Sequence, residues 1–243
     1  MKQEVRERLI FALDVDDFSA AEVWVKRLHK NVGLFKVGKQ LFTHCGPDVV
    51  RMVQGYGSDV FLDLKYHDIP NTVAKAAVEA CKLGVKIFNV HALGGAEMMR
   101  KTVAEVDSYC TAAKITPPLM LAVTILTSST EETLREVGID RPVEEMVVRL
   151  AKLSQSAGFS GVVASPKEAA LIRAACGADF AIVTPGVRPT FASLDDQKRV
   201  MTPAEAIAAG ATALVIGRPI SAASGPLEAA GKILAEIEGA LIS

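Results

Sequence analysis

Acidic and basic side chains alternate in the stretch FLDLKYHDIPNT, which runs from 61 to 72 as the continuation of an apolar, strand-like run. If the segment is extended, Asp63 and Lys65 point to one face while Leu62 and Leu64 point to the other. A lysine ammonium can protonate a carbanion, and a neighbouring carboxylate can repel an acidic substrate group. Two like charges about 4 Å apart repel by about 4 kcal/mol at an effective dielectric constant near 20, and the repulsion ends when one departs as neutral gas. These residues are therefore suited to a decarboxylation.

The overall charge of the chain argues against a polyanionic partner. The 243 residues carry 27 basic and 28 acidic side chains, for a formal net charge of -1, and the basic residues are scattered along the sequence. Nucleic acid or an anionic membrane surface would need a broad cationic face. We expect neither partner, so any phosphate binding must be local.

The cysteines and the hydropathy pattern indicate a cellular compartment. Cys45, Cys81, Cys110 and Cys176 are far apart and form no CxxC pair, which predicts free thiols rather than a zinc knuckle or a redox dithiol. Free thiols fit a reducing cytosol. The first ten residues, MKQEVRERLI, are rich in charge, and no apolar run approaches the length of a membrane span or resembles a signal peptide. We predict a soluble, cytoplasmic protein.

Eight short β-rich runs alternate with segments of helical periodicity. The runs are 9–15, 34–38, 59–65, 86–92, 119–126, 161–165, 180–186 and 213–218. Several intervening stretches begin at Ser, Asn or Thr and close at Gly, as helices tend to. Continuous hydrophobic strands that alternate with helices indicate a parallel sheet covered by helices. We predict an α/β fold in which the eight units close into a single (β/α)8 TIM barrel spanning 1–243, and we favour this over two smaller domains.

An open, doubly wound sheet is the competing arrangement. It gives no reason for eight units, and no GxGxxG follows the first predicted strand. The least regular region is 187–203, VRPTFASLDDQKRVMTP, which is long for a barrel connection. It is a candidate lid or binding loop.

Polar residues gather at one end of the predicted strands. Those at or just beyond the carboxyl ends are Asp14, Lys36, Asp63, Lys65, His91, Thr124, Thr127, Ser165, Arg188 and Arg218. In a barrel these ends share one face, which carries the active site in essentially every characterised barrel enzyme. Solvent exposure of the rim could account for Thr124, Ser165 and His91. It does not account for the charged residues, because charges near a barrel interior are costly unless they are paired.

Four charged residues, three of them from this set, are predicted to form one network. Lys36, Asp63, Lys65 and Asp68 alternate in sign, so that each would offset the desolvation of its neighbours. A purely structural ion-pair network is the alternative interpretation. Such networks seldom gather at a barrel mouth without a ligand, so we interpret the four as a catalytic group.

Two turns that contain glycine and arginine indicate a phosphate site. TPGVRP (184–189) follows the seventh predicted strand, and IGRP (216–219) follows the eighth. Glycine lets backbone N–H groups approach an anion, and arginine holds phosphate with its fork of donors. Each motif alone is weak. The loops after strands seven and eight, however, are the usual phosphate site of this fold.

The complete set of motifs is more specific than any one of them. It comprises DLKYHDIPNT, ALD at Asp14, KVGK at Lys36, NVHA at His91, VTPGVRP at Arg188, DQKR at Gln197 and VIGRP at Arg218. In this order, and over nearly the whole chain, the sequence resembles the orotidine 5'-phosphate decarboxylases of the bacterial type. Phosphosugar decarboxylases and synthases of the same superfamily carry the Asp-x-Lys-x-x-Asp core with a metal. The following Ile-Pro-Asn-Thr and the Gln197 loop point to the nucleotide enzyme.

The resemblance implies conversion of orotidine 5'-monophosphate to uridine 5'-monophosphate in pyrimidine biosynthesis, with no cofactor and no metal. Lys65 is then the proton donor to C6 of the pyrimidine, and Asp63 is the carboxylate nearest the substrate carboxylate. Lys36 completes the network. In this family Asp68 and Thr72 reach into the neighbouring subunit's site, which implies an obligate homodimer.

The resemblance also implies which residues hold the rest of the substrate. Asp14 and Lys36 would hold ribose hydroxyls, and Thr127 would bond the pyrimidine amide edge. The residues implied for the phosphate are Arg188, Gln197, Gly217 and Arg218, with Gln197 on a phosphate-binding lid at about 187–203. His67 and His91 are interpreted as structural.

Two functions of other kinds stay open. A Schiff-base aldolase of the same fold would use Lys36 or Lys65 as a nucleophile, although flanking aspartates favour the ammonium form. A noncatalytic phosphosugar- or nucleotide-binding protein would keep the phosphate loops but would not need Lys65. The sequence has no metal-ligand spacing and no nucleotide-cofactor fingerprint.

Overall fold

Eight parallel strands form one closed sheet in the computed structural model, which describes residues 3–191 and 201–242. The strands are β1 (Leu9–Ala12), β2 (Leu34–Gly38), β3 (Asp59–Tyr66), β4 (Ile87–His91), β5 (Leu119–Val123), β6 (Gly161–Val163), β7 (Ala181–Pro185) and β8 (Ala213–Ile216). Each strand pairs with the next in the sequence, and β8 pairs with β1. The predicted (β/α)8 barrel is confirmed, and the pairing of β1 with β8 rules out the open sheet.

Helices connect the strands and pack on the outside of the barrel. They are α1 (Gln3–Glu7), α2 (Phe18–Leu28), α3 (Lys39–Cys45), α4 (Asp48–Gly55), α5 (Pro70–Lys82), α6 (Gly95–Ala113), α7 (Glu131–Glu136), α8 (Val143–Ser156), α9 (Ala169–Cys176), α10 (Pro203–Ala208), α11 (Arg218–Ser221) and α12 (Pro226–Ile242), with 3-10 turns at Ala92–Gly94 and Pro166–Glu168. Local sequence sets several helix starts. The Asp17 carboxylate accepts a hydrogen bond from Ala20 N at 2.8 Å ahead of α2, and Pro70, with its fixed φ, begins α5.

Alternation along the strands separates two apolar layers. Ile10 and Phe61 belong to the cluster inside the barrel, whereas Leu62 and Phe88 pack between the strands and the helices. Because Phe61 points inward and Leu62 outward, Asp63 occupies the next inward position. Apolar side chains fill the barrel beneath it, so Asp63 lies at the carboxyl end of the apolar interior.

Six of the eight predicted strands are shorter in the structure than in the sequence pattern, and three of them show why. The runs predicted at 9–15, 119–126 and 161–165 contain strands that end at Ala12, Val123 and Val163. The residues that follow, including Asp14, Ile125 and Ala164, leave the ladder and line a cavity at the barrel mouth. The apolar character of Ile125 and Ala164 goes with burial outside the strands rather than with strand pairing.

The connection from β7 to α10 is held together at its base. Arg188 N donates a hydrogen bond to the carbonyl oxygen of Met201 at 3.0 Å. Positions 192–200, which include Gln197 and most of the predicted lid, lie outside the described residues.

Candidate active site

A cavity of about 350 Å³ opens at the carboxyl ends of the strands. Its base is apolar and is formed by inward-pointing residues such as Phe61, Val123, Val163 and Val215. Eight residues predicted from the sequence also line it, namely Asp14, Lys36, Asp63, Lys65, Thr127, Arg188, Gly217 and Arg218. The volume suits a small organic ligand.

An ion-pair network crosses three neighbouring strands at this mouth. Lys65 Nζ lies 2.6 Å from Asp63 Oδ1, and Lys36 Nζ lies 3.6 Å from Asp63 Oδ2. Lys36 Nζ also lies 2.9 Å from Asp14 Oδ1. Asp63 is only 8% exposed, so its charge is shielded from water and is balanced by the two ammonium groups.

Within the described chain, Asp14 is the second carboxylate of this network. The charge pattern of the sequence predicts Asp68 in that role. Asp68 lies on an exposed turn after β3, and its Oδ1 accepts a hydrogen bond from Ile69 N at 2.6 Å. Thr72 is exposed in the first turn of α5. Neither residue lines the cavity of the described chain. The order of charges in the sequence could not show this, because Asp14 reaches Lys36 across the strands β1 and β2, which pair only in the folded barrel.

The backbone at Lys65 departs from regular strand geometry. Its φ is +51°, one of two non-glycine residues with positive φ in the described chain. A left-handed conformation is unfavourable for an L-residue with a Cβ and needs support from its surroundings. The sequence predicts a regular extended strand here, with no left-handed residue. Its expectation that Asp63 and Lys65 share a face agrees with the structure, because both line the same cavity.

Sequence reasoning also missed Asn89 of β4. Its side chain is fully buried, donates from Nδ2 to Asp63 Oδ1 at 2.7 Å, and accepts from Lys65 N at Oδ1 at 2.8 Å. The available signal was an amide in the middle of the apolar run KIFNVHA. An unpaired amide inside a barrel is costly, so such a residue predicts a polar partner nearby.

Residues just beyond the ends of β7 and β8 supply the cationic part of the cavity. Arg188 and Arg218 line it together with Gly186 and Gly217. Gly186 has a φ of +78°, which favours glycine. A Cβ at Gly217 would lie 3.3 Å from the Ala12 Cβ, so a side chain there would crowd the cavity wall.

His91 is a neutral residue next to the network. Burial, with smaller contributions from the nearby His67, Lys39 and Lys65, lowers its pKa to about 4. The His67 and His91 rings lie 5.6 Å apart between centroids. An uncharged His91 does not compete with Lys65 for Asp63 at neutral pH.

Residues 3–191 and 201–242 contain neither a metal-binding cluster nor a membrane-spanning helix. In those residues, no group of three or more His, Cys, Asp or Glu side chains could hold a metal ion. No helix there is long and apolar enough to cross a membrane.

The fold and the cavity define a (β/α)8 barrel protein with a charged site at the carboxyl ends of its strands. The chain belongs to the Orotidine 5'-phosphate decarboxylase / HUMPS family, whose model matches residues 7–233. The resemblance found in the sequence motifs is thereby confirmed.

Individual relatives match over nearly the full chain. The orotidine 5'-phosphate decarboxylase of Syntrophotalea carbinolica is 65% identical over 241 residues, covering 99% of this chain and 99% of the relative. That of Geobacter sulfurreducens is 63% identical over 236 residues, covering 97% of this chain and 98% of the relative. A crystal structure of orotidine 5'-phosphate decarboxylase from Lactobacillus acidophilus superposes with a TM-score of 0.81 at 38% identity, covering 95% of this chain and 99% of that one.

Proposed function

We propose that this chain converts orotidine 5'-monophosphate to uridine 5'-monophosphate and carbon dioxide, a step of pyrimidine biosynthesis, without a cofactor. The observation that carries the proposal is the Lys65 ammonium held 2.6 Å from the shielded Asp63 carboxylate. The same cavity contains Arg188 and Arg218, which can bind a phosphate. Relatives that bear the name of this activity match the chain almost from end to end.

The proposed reaction breaks the bond between C6 of the pyrimidine and its carboxylate carbon. The electron pair stays on C6 while carbon dioxide leaves, and Lys65 Nζ delivers a proton to C6. Asp63 meets the substrate carboxylate as a like charge, a repulsion of about 4 kcal/mol at 4 Å and an effective dielectric constant of 20. This repulsion is lost when carbon dioxide departs, so it favours the transition state over the bound substrate.

The ion pairs support a decarboxylase rather than a Schiff-base aldolase. An aldolase lysine must be neutral to attack a carbonyl group. Both lysines of the cavity form ion pairs with Asp63, and Lys36 forms one with Asp14 as well, so neither is placed as a free nucleophile. A protonated Lys65 is what the decarboxylation requires.

The rest of the substrate fits the remaining lining residues. Asp14, whose side chain is 67% exposed at the mouth, and Lys36 present an acceptor and a donor to ribose hydroxyls. Thr127 supplies a hydroxyl for the pyrimidine amide edge. We assign the phosphate to Arg188, Arg218 and the backbone at Gly217, together with Gln197, which lies outside the described residues.

We infer that the active form is a homodimer in which Asp68 and Thr72 complete the partner's site. Both residues are exposed on the rim after β3 and do not line their own cavity. Between them lies Ile69, an apolar side chain that is 67% exposed in the single chain. An exposed apolar residue flanked by polar groups suits an interface in which the same patch meets itself across a two-fold axis.

We propose a cytoplasmic location on the basis of the cysteine side chains. All four cysteines are free, and Cys81, Cys110 and Cys176 are buried. Free thiols are typical of a reducing compartment.

The function is tested by comparing wild-type protein with an Arg218→Ala variant on orotidine 5'-monophosphate and on orotidine, which lacks the phosphate. Wild-type protein is expected to release one carbon dioxide per nucleotide consumed. The variant is expected to lose roughly 10- to 100-fold in kcat/KM for the nucleotide, because a hydrogen bond to a charged group contributes about 1.5 to 3 kcal/mol. Its kcat/KM for orotidine should change by no more than about threefold, since the lost contact is remote from the reacting carbon.

The matched control is Arg149→Ala, which removes an exposed arginine of α8. It should behave as wild type on both compounds. An equal loss on both compounds in Arg218→Ala would place Arg218 elsewhere than at the phosphate. Wild-type protein that consumes no nucleotide would reject the proposed function.

A further inference from the structure

The strands β3 and β4 are out of register at the catalytic lysine. Leu62 pairs with Phe88 and Tyr66 pairs with Val90, so residues 63–65 of β3 lie opposite one residue of β4, Asn89. Such a bulge disrupts the ladder and leaves backbone groups without their usual partners. A buried N–H group needs another acceptor.

The Asn89 side chain supplies that acceptor and a second contact. Its Oδ1 accepts from Lys65 N at 2.8 Å, and its Nδ2 donates to Asp63 Oδ1 at 2.7 Å. The orientation of the amide is fixed, because the backbone N–H of Lys65 can only donate and must meet the oxygen. Asp63 Oδ1 is also the atom that lies 2.6 Å from Lys65 Nζ.

We propose that Asn89 is a positioning residue that holds the Lys65 ammonium and the Asp63 carboxylate in their reactive arrangement. One amide fixes both ends of the pair: it bonds the carboxylate oxygen, and it bonds the backbone of the lysine in its left-handed conformation, φ +51°. Because that conformation is unfavourable, its persistence depends on contacts of this kind. The direction in which the Lys65 side chain leaves the strand depends in turn on this backbone conformation.

Asn89 acts through these two residues and not on the substrate. It is fully buried and is not among the residues that line the cavity of the described chain. Arg188 and Arg218, the cavity residues proposed to bind the phosphate, follow β7 and β8 and do not belong to β3 or β4. A defect at position 89 should therefore affect the chemical step more than nucleotide binding.

The test compares Asn89→Leu and Asn89→Ser with wild-type protein and a Thr102→Val control. Leucine has the same branched skeleton of side-chain heavy atoms as asparagine but is bulkier and carries no polar atoms, and serine is small enough to admit water if the leucine variant does not fold. Thr102 of α6 is equally buried, donates a hydrogen bond from its hydroxyl to the carbonyl oxygen of Met98 at 2.8 Å within the helix, and does not line the cavity. The readouts are kcat, KM for orotidine 5'-monophosphate, the Kd of uridine 5'-monophosphate, and a crystal structure of whichever position-89 variant folds.

We expect kcat to fall about 100-fold in the position-89 variants, the scale of loss caused by misplacing reacting groups by about 1 Å. KM and the Kd of the product should stay within about threefold of wild type, because the phosphate contacts are intact. Thr102→Val should leave all three constants unchanged. A kcat close to wild type in a folded variant, or equal losses in kcat and product binding, would overturn the proposal.

The kinetic readouts rest on the proposed function, because they require turnover of orotidine 5'-monophosphate. The crystal structure of the variant requires no turnover and tests the positioning role independently. We expect the contact between Lys65 Nζ and Asp63 to be lost or Lys65 to leave its left-handed conformation. An unchanged Lys65 and Asp63 geometry in a folded variant would refute the positioning role, even if wild-type protein proved inactive and the proposed function had already failed.

Discussion

Lys65→Ala is expected to lower kcat for orotidine 5'-monophosphate by about 10⁴-fold, the upper range for loss of a general acid. The variant removes the proposed proton donor and also one of the two cations that balance the shielded Asp63 carboxylate. Alanine keeps a Cβ, so the backbone preference at φ +51° is little changed and the loss can be assigned to the ammonium group. The measurement is steady-state decarboxylation, with the folded state of the variant checked by its unfolding transition.

Lys86→Ala is the matched control. Lys86 is exposed and precedes β4, at the opposite end of the barrel, where it lines a separate cavity. Its removal should leave kcat unchanged. A Lys65→Ala protein that retained turnover within about tenfold of wild type would mean that Lys65 is not the proton donor.

The second large effect is a recovery of activity on mixing two inactive proteins. Lys65→Ala and Asp68→Ala homodimers should each be nearly inactive, because every site lacks either the proposed proton donor, Lys65, or the Asp68 carboxylate that the partner supplies. In a mixed dimer, one site receives both defects and the other combines an intact Lys65 with an intact Asp68 from the opposite chain. Random exchange at equal concentrations should restore about one quarter of wild-type activity, since half of the dimers are mixed and each has one complete site.

Lys65→Ala mixed with Asp63→Ala provides the control for this experiment. Lys65 and Asp63 contact each other within one chain, so both sites of that mixed dimer are defective and no activity should return. Subunit exchange is verified in both mixtures with differently tagged chains. Continued inactivity of the first mixture, despite exchange, would show that Asp68 does not complete the partner's site.

The fold could be predicted from the sequence because its signals are local. Eight apolar runs spaced by helical segments determine the number of strands, and each run contains a strand of the barrel. The ends of the strands could not be read as well. Ile125 and Ala164, for example, lie beyond the strands but are buried and line the cavity. Hydrophobicity alone does not distinguish a buried residue outside a strand from one that pairs in the sheet.

The site was predictable as a set of residues but not as a set of contacts. Residues at the carboxyl ends of strands must share one face of a barrel, which brought Lys36, Asp63 and Lys65 together correctly. Which carboxylate Lys36 meets depends on strand pairing across the closed sheet, and the structure places Asp14 there. The bulge opposite Asn89 and the left-handed Lys65 follow from that pairing as well, and no residue preference in the sequence indicates them.

The central claim is that this barrel decarboxylates orotidine 5'-monophosphate with its own side chains. It is tested most directly by following the absorbance of the nucleotide on incubation with purified, EDTA-treated protein. We predict that the absorbance falls at the same rate before and after chelation, and that the product is uridine 5'-monophosphate. An unchanged absorbance, or activity that appears only when Mg²⁺ is added, would contradict the account and would favour the metal-dependent phosphosugar enzymes of the superfamily.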